Sequence, residues 1–167
     1  CDPVILKEQV SKNADSAKLL VKFADGTMAE LVIMLYEREK ARDRQTVCIS
    51  TQAGCGMGCA FCATGLNGLE RNLTTGEIVS QVLVADKWCE EHGYTRVSNV
   101  VYMGMGEPLA NLAAVLKSIY VLNNEKALRI GQRRITVSTC GLVPQIERLA
   151  AEKLAIGLAI SLHAPNN

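Results

Sequence analysis

No run of apolar residues in this 167-residue chain approaches the roughly 20 that a membrane-spanning helix needs. No charged stretch followed by an apolar one opens the chain, as a secretion signal would. Internal repeats and low-complexity segments are absent. The net charge is only +1, so there is no general electrostatic case for nucleic acid, for which a clearly basic domain is expected. Nor is there an interleaved aromatic and basic module of the kind that reads single-stranded RNA. A nucleic-acid substrate would therefore have to be held by local patches or by other parts of a longer protein. No second pair of Cys or His stands at zinc-ribbon distance from the cysteines. The segment M-G-M-G-E-P-L lacks the third glycine of a dinucleotide fingerprint, with Leu109 in its place. There Pro108 offers no N–H and Glu107 would repel a phosphate.

What is present is a globular composition, 49% hydrophobic and 21% charged, of a length that buries a sizeable core within single-domain range. Seven cysteines, three of them in a motif, suit a reducing compartment such as the cytoplasm better than a disulfide scaffold. The organising stretch is Val47 to Gly65, V-C-I-S-T-Q-A-G-C-G-M-G-C-A-F-C-A-T-G, in which Cys55, Cys59 and Cys62 stand in C-x3-C-x2-C spacing. Gly54, Gly56 and Gly58 surround the first two and permit tight turns around a small bound object. Three thiolates fall short of a closed tetrahedral zinc site. They suffice for three irons of a [4Fe–4S] cluster, leaving the last iron open. The alternatives are buried apolar cysteines or half of a zinc ribbon.

Along the chain, residues 1–16 show no period and read as a linker from a preceding domain. Ala17 to Ala24 and Met28 to Leu35 are apolar-rich runs split by Asp25-Gly26, a hairpin signal. The charged stretch E-R-E-K-A-R-D before Gln45 reads as a solvated loop, so that 17–44 form a hairpin extension with its loop. Gln45 to Ile49, Val97 to Met103, Ile135 to Ser138 and Leu154 to Leu162 read as strands. Alternation sets Cys48 and Ser50 on one face of the first and Val47 and Ile49 on the other. Thr74 with Glu77 is a capping box, followed by Ile78, Val79, Val82, Leu83 and Ala85 at helical spacing and a stop at His92-Gly93. Trp88, Cys89 and His92 carry no motif and suit helix packing. Asn111 to Asn123 presents a second apolar helical face, and Pro144 starts a third helix with Ile146, Leu149 and Ala150 inward. Arg129, Arg133 and Arg134 form the one basic cluster before the third of these strands, suited equally to RNA phosphate and to a solvated face. Strand–helix alternation with informative residues at strand C-terminal ends means parallel β/α units with a site on one rim. Glu30, on the second run of the hairpin, reads from composition as an exposed strand residue, and Cys48 as a core residue. The G-M-G-E-P turn, Ser138 and the S-L-H end at Ser161 to His163 each admit a plain structural role.

Four segments in order narrow the assignment: V-C-I-S-T-Q-A-G-C with its cysteine motif and Phe61 before the last cysteine, R-N-L-T-T-G-E-I-V-S-Q-V, M-G-M-G-E-P-L-A-N, and I-S-L-H-A-P-N. Together they resemble the radical S-adenosylmethionine enzymes that methylate carbon 2 of adenosine in ribosomal and transfer RNA. The resemblance spans about Asp25 to the last residue. It implies a fold of class α/β, a partial parallel barrel of which about four of six β/α units are here (45–167). It implies a [4Fe–4S] cluster on Cys55, Cys59 and Cys62, and S-adenosyl-L-methionine held by Gly106, Glu107, Ser138, Ser161, Leu162 and His163. Glu30 becomes a proton acceptor, and the extra residues 36–43 bear on its register. Cys48 becomes the second catalytic thiol, forming a transient disulfide with a methyl-carrying cysteine that this chain does not contain. Carbon 2 of adenine is an unactivated aromatic carbon, so a deoxyadenosyl radical and a methyl-cysteine intermediate replace ordinary methyl transfer. The resemblance assigns no role to Cys140. The implied partners are 23S rRNA, transfer RNA or both, and an external flavodoxin-like electron donor, with no membrane; a cytoplasmic monomer is expected.

The absence of an initiator Met at Cys1 and the motif directly before Asn167 suggest the middle of a longer enzyme; the resemblance implies a small helical RNA-binding domain before it and the rest of the catalytic domain after it. Two rivals stand beside this reading: the adenosine C8 methyltransferases of antibiotic resistance, which share the cluster motif, Cys48 and the GEP segment, and a non-enzymatic zinc module.

Overall fold

A computed structural model describes residues 3–36 and 44–162. Three strands come first: β1 (Val4–Val10), β2 (Ser16–Lys22) and β3 (Met28–Tyr36). Next are β4 (Arg44–Cys48) and a small hairpin of β5 (Gln52–Gly54) and β6 (Leu69–Asn72). Helix and strand then alternate: α1 (Thr75–Glu91), β7 (Asn99–Tyr102), α2 (Leu112–Asn123), β8 (Ile135–Thr139), α3 (Val143–Ala151) and β9 (Gly157–Ile160). One sheet of order β1-β2-β3-β4-β7-β8-β9 carries everything except the small hairpin. It is antiparallel from β1 to β4 and parallel from β4 to β9. The expected α/β class is present as a mixed sheet with three helices among the described residues.

Each side of the sheet follows from the strand period of two. Ala17, Leu19 and Val21 of β2, Ala29, Leu31 and Ile33 of β3, and Val47 and Ile49 at β4 are buried in one continuous core. Val100, Tyr102, Ile135 and Val137 extend it, and the apolar faces of α1 and α2 cover it. The opposite face is open: Lys18, Val32, Cys48, Val101, Thr136 and Gly157 form one cross-strand row. The helices follow their sequence signals closely. Thr74 and Glu77 close a reciprocal capping box on α1. Trp88 and Cys89 are buried, and His92 stacks on Trp88 with ring centroids 3.9 Å apart. One inward assignment fails, since Ala150 of α3 is exposed, and Leu83, which follows the helical spacing of α1, is exposed too. Both lie at the margins of amphipathic faces whose buried stripes are already filled by Val82 and Leu149.

The linker expected over residues 1–16 is corrected: Val4–Val10 is an edge strand paired with β2. All seven of its residues are exposed, so it has no one-sided apolar period, and main-chain bonding to β2 rather than burial makes it a strand. The hairpin thus becomes a three-stranded meander continuous with the sheet. Residues 37–43, most of the expected charged loop, lie outside the described residues, as does His163.

Gly104 marks a close approach of two main-chain segments at the ends of β4 and β7. Its N–H donates to the Ile49 carbonyl at 3.0 Å, and a Cβ there would stand 2.8 Å from the Ile49 carbonyl carbon and oxygen and 2.6 Å from Ser50 Oγ. Main chain cannot yield as a side-chain tip can. Replacing Gly104 with Ala should cost about 1–3 kcal/mol by overpacking, read as a lowered melting temperature in thermal unfolding. Gly131, whose added Cβ meets nothing, should tolerate Ala. Equal melting temperatures for the two variants would contradict this packing.

Candidate functional site

At the C-terminal end of β4 the chain leaves the sheet, and its polar backbone needs new partners. The main chain at Gly104 and Met105 supplies some, two buried side chains, Gln81 and Asn111, supply others, and a third, Gln52, extends the network. Gln81, fully buried on α1, accepts from the Ser50 N–H and donates to the Ser50 carbonyl, both at 2.9 Å. Asn111, entering α2, donates to the carbonyls of Thr51 at 2.9 Å and Leu73 at 2.7 Å. Gln52 donates to Asn72 Oδ1 at 2.7 Å and accepts from the Glu107 N–H at 2.8 Å. Ser50, itself buried, donates to the Glu30 carbonyl at 2.6 Å and accepts from the Met105 N–H at 2.8 Å. These residues escaped sequence reasoning because buried amides at such positions carry no motif. Alternation gives Ser50 only its strand face, and Gln52 and Gln81 carry no local signal of their own.

The loop so anchored is closed by the β5–β6 hairpin, where Cys55 N–H donates to the Gly68 carbonyl at 2.9 Å. Gly54 has φ +73°, and any Cβ on it would collide with the Gly68 carbonyl oxygen. Cys55, Cys59 and Cys62 all sit on this loop, half-buried, and are free thiols. The backbone N–H groups of Thr64 and Gly65 hold the Cys62 thiol below its usual pKa, which favours the thiolate form that binds iron. Among the described residues no three His, Cys, Asp or Glu gather as an ion-sized ligand set. A mononuclear zinc site asks for donors around one point at about 2.3 Å. A polynuclear cluster takes one thiolate for each iron, so its ligands need not converge on a point. The donor chemistry, the loop and its glycine closure fit a cluster.

The other sequence-derived residues surround this loop unevenly. Cys48 lies on the open face opposite Val32. Burial raises its thiol pKa, and the Met103 N–H opposes that in part. Glu30 is on the same face of β3, two residues from Val32, with its carboxylate 3.3 Å from Lys18 Nζ. It lines a cleft of ≈ 770 Å³ together with Gly54, Ala63, Thr64, Gly68 and Met105, so the cluster loop and Glu30 share one opening. Gly106 has φ +95° and packs its Cα against Gln52, whose Cβ would lie 2.5 Å from an added one. Glu107 is buried, and its two oxygens accept from the N–H groups of Leu109 at 3.0 Å and Cys140 at 2.9 Å. The carboxylate therefore ties the β7 and β8 ends together while keeping lone pairs for a cation. Ser138 Oγ donates to the Tyr102 carbonyl at 2.8 Å. Ser161 N–H donates to the Thr139 carbonyl at 2.9 Å, and Leu162 is exposed. Cys140 is exposed, its thiol pushed up to about 11 by burial, then by Glu107, with Cys59 adding to it.

Arg71 joins the loop to the rest. Its guanidinium donates to both Glu77 oxygens, at 2.9 and 2.6 Å, and pairs with Asp25 at 2.7 Å. Nε donates to Thr27 Oγ1 at 3.1 Å. One side chain thus binds the β2–β3 turn, β6 and the first turn of α1, and its own pKa is raised, chiefly by the Glu77 hydrogen bonds. For Glu77, burial pushes the carboxyl up, but the hydrogen bonds from Arg71 and Thr74 outweigh it and leave the pKa below 4.5.

The profile of the radical SAM superfamily matches residues 49–167. The chain is 50% identical over 163 residues to a probable dual-specificity RNA methyltransferase RlmN of Desulfitobacterium hafniense (strain Y51), covering 97% of this chain and 45% of that protein. It is 49% identical over 160 residues to a ribosomal RNA large subunit methyltransferase N of Nitrosopumilus maritimus (strain SCM1), covering 95% and 45%. The crystal structure of a radical SAM methyltransferase from Sphaerobacter thermophilus superposes with a TM-score of 0.91 at 46% identity, covering 99% of this chain and 47% of that one. The chain thus spans about half the length of the curated relatives it matches.

A folded-state pKa held below the unfolded one contributes stability that is present above the unfolded value and is lost as pH falls through the folded one. The wild-type protein should therefore lose the Glu77 contribution as pH drops below about 4.5. Glu77→Gln should be less stable at pH 7 and show a flatter acid limb in denaturant titrations, the two curves converging at low pH. Parallel curves would contradict the Arg71–Glu77 coupling.

Proposed function

This chain belongs to the radical SAM superfamily, and from that premise we propose that it is the central part of an RNA adenosine methyltransferase acting on carbon 2 of adenosine in 23S rRNA and transfer RNA. The observation that carries the reading is the shared opening: Glu30 and the three-cysteine loop line one cleft, and Cys48 stands on the same sheet face one strand over. The relatives, named as RNA methyltransferases of dual specificity and of the large ribosomal subunit, support it. In the proposed assignment β4, β7, β8 and β9 are the first strands of a partial six-unit parallel barrel, with β1–β3 as its extension.

Cys55, Cys59 and Cys62 would hold a [4Fe–4S] cluster. When bound, that cluster and S-adenosyl-L-methionine supply the reductive radical chemistry that an unactivated aromatic carbon requires. The chain's own residues place and finish the reaction. Gly106 would let main chain approach the cofactor's amino end, and the buried Glu107 carboxylate would attract its ammonium group. Ser138, Ser161, Leu162 and His163 would hold the remainder. Glu30 Oε accepts the proton that leaves the base. Cys48, whose thiol pKa burial raises, would bond to the sulfur of the methyl-carrying cysteine supplied by the rest of the protein as that sulfur's bond to the transferred carbon breaks, the Cys48 proton leaving to solvent, the electron pair of the broken bond staying with the methylated base and the odd electron returning to the external electron carrier. The proposal includes a flavodoxin-like electron donor and a cytoplasmic monomer. Among the described residues no helix is long and apolar enough to cross a membrane.

The test is anaerobic reconstitution of the full-length protein with iron and sulfide, followed by turnover on an RNA substrate and location of the new methyl group. Methyl on carbon 2, and loss of iron, labile sulfide and turnover in Cys59→Ala, are expected. Methyl on carbon 8 would transfer the chain to the resistance enzymes. Bound zinc without labile sulfide would end the radical reading.

A further inference from the structure

The meander sorts charge between its two faces in a way that the linear sequence conceals. Lys18 and Lys22 alternate with the buried Leu19 and Val21 and so stand on the open face, the face of Glu30. In β1 the pairing register shifts between Ile5 and Lys7: Ile5 opposes Val21, but Lys7 opposes Leu20, and Leu20 opposes Glu30. An inserted residue of this kind re-aims the side chains beyond it. Without the shift Lys7 would oppose Leu19, on the helix side. With it, Lys7 and Gln9 join the open face, while Glu8 opposes Leu19 and lies 3.8 Å from His92 at the end of α1. Lys7, Gln9, Lys18, Leu20 and Glu30 together line a shallow depression of ≈ 260 Å³.

Lys18 is paired with Glu30 at 3.3 Å. Lys7 and Lys22 are exposed and have no carboxylate partner among the described residues. Lys18 and Lys22 are four residues apart on one strand, about 13 Å, so the charge covers a length of polymer rather than a point. Beside the lysines, Val4 and Met28 are exposed on the same side. Past Glu30 the shelf opens into the cleft that carries Glu70 and the cluster loop. The neighbouring acids are accounted for: Asp25 is bound by Arg71, and Glu70 accepts from Thr27.

We propose that the open face of β1 and β2, with Lys7 and Lys22 as its free charges, is a docking shelf for the phosphate backbone of the substrate RNA on its way to Glu30 and Cys48. This rests on the RNA methyltransferase reading above. An acidic protein partner would meet the same lysines, but an electron donor needs to reach only the cluster, whereas the target nucleotide must reach the face where Glu30 and Cys48 stand. The shelf supplies a local basic patch that the net charge of +1 does not reveal.

The test uses the full-length, cluster-loaded protein and an unmodified transfer RNA transcript. Lys7→Ala with Lys22→Ala should weaken binding roughly tenfold and lower the slope of log affinity against log salt by about 1.4, two contacts at about 0.7 each. The corresponding Arg pair should restore the slope. Deoxyadenosine release in the absence of RNA should match the wild type. Unchanged affinity and slope in the Ala pair would overturn the proposal. So would intact RNA binding together with slower reduction by a flavodoxin, which would assign the shelf to a protein. If the wild-type protein binds no transcript at all, the RNA reading itself fails, and the shelf with it.

Discussion

Everything on the reactive rim depends on how the chain leaves β4. A strand in the middle of a sheet has its main-chain groups paired on both sides. When it turns out into a loop that must carry three thiols, those groups become buried orphans unless something replaces the ladder. Here the replacement is made of amide side chains. Gln81 matches both the N–H and the C=O of Ser50, as a neighbouring strand would. Asn111 and Gln52 hold the next turns from the far side. Each such bond contributes about 0.5–1.5 kcal/mol net, and an orphaned buried partner costs about 1–3 kcal/mol, so the set is stable together and fragile singly.

The same anchoring couples regions far apart in sequence. Ser50 links the backbone of Glu30 to that of Met105. Gln52 carries the segment from Gly106 to Glu107, and Glu107 in turn ties down the end of β8 through Cys140. Arg71 closes the circuit from the loop hairpin to the β2–β3 turn and α1. The three-cysteine loop, a candidate proton acceptor and a candidate cofactor cradle are thus fixed to one another through buried polar contacts beside the open face.

Much of this was legible from the residues. The cysteine spacing and its glycines announced the loop, the Thr74–Glu77 box announced α1, and the strand period separated Cys48 from Val47 correctly. The illegible parts share a physical cause: they depend on partners distant in sequence. β1 is exposed on both faces and owes its form to pairing with β2, so no local pattern could mark it, and the linker reading followed. The lysine shelf was hidden for the same reason, since Lys7 and Lys22 meet on one face only through the β1 register and its shift. Gln81 carries no local signal because its partners, the N–H and carbonyl of Ser50, lie 31 residues away in sequence. Leu83 and Ala150 followed helical spacing yet fell outside the buried stripe, because spacing gives a direction and not the width of the covering surface.

The central claim is that Cys55, Cys59 and Cys62 hold three corners of an iron–sulfur cluster and leave one iron for the sulfonium cofactor. Iron-57 Mössbauer spectroscopy of the anaerobically loaded full-length protein, before and after addition of S-adenosyl-L-methionine, addresses it most directly. The account predicts that a single iron of the cluster changes its spectrum when the cofactor is added while the others do not. A spectrum in which no iron responds, or in which a mononuclear site accounts for all the bound metal, would contradict it.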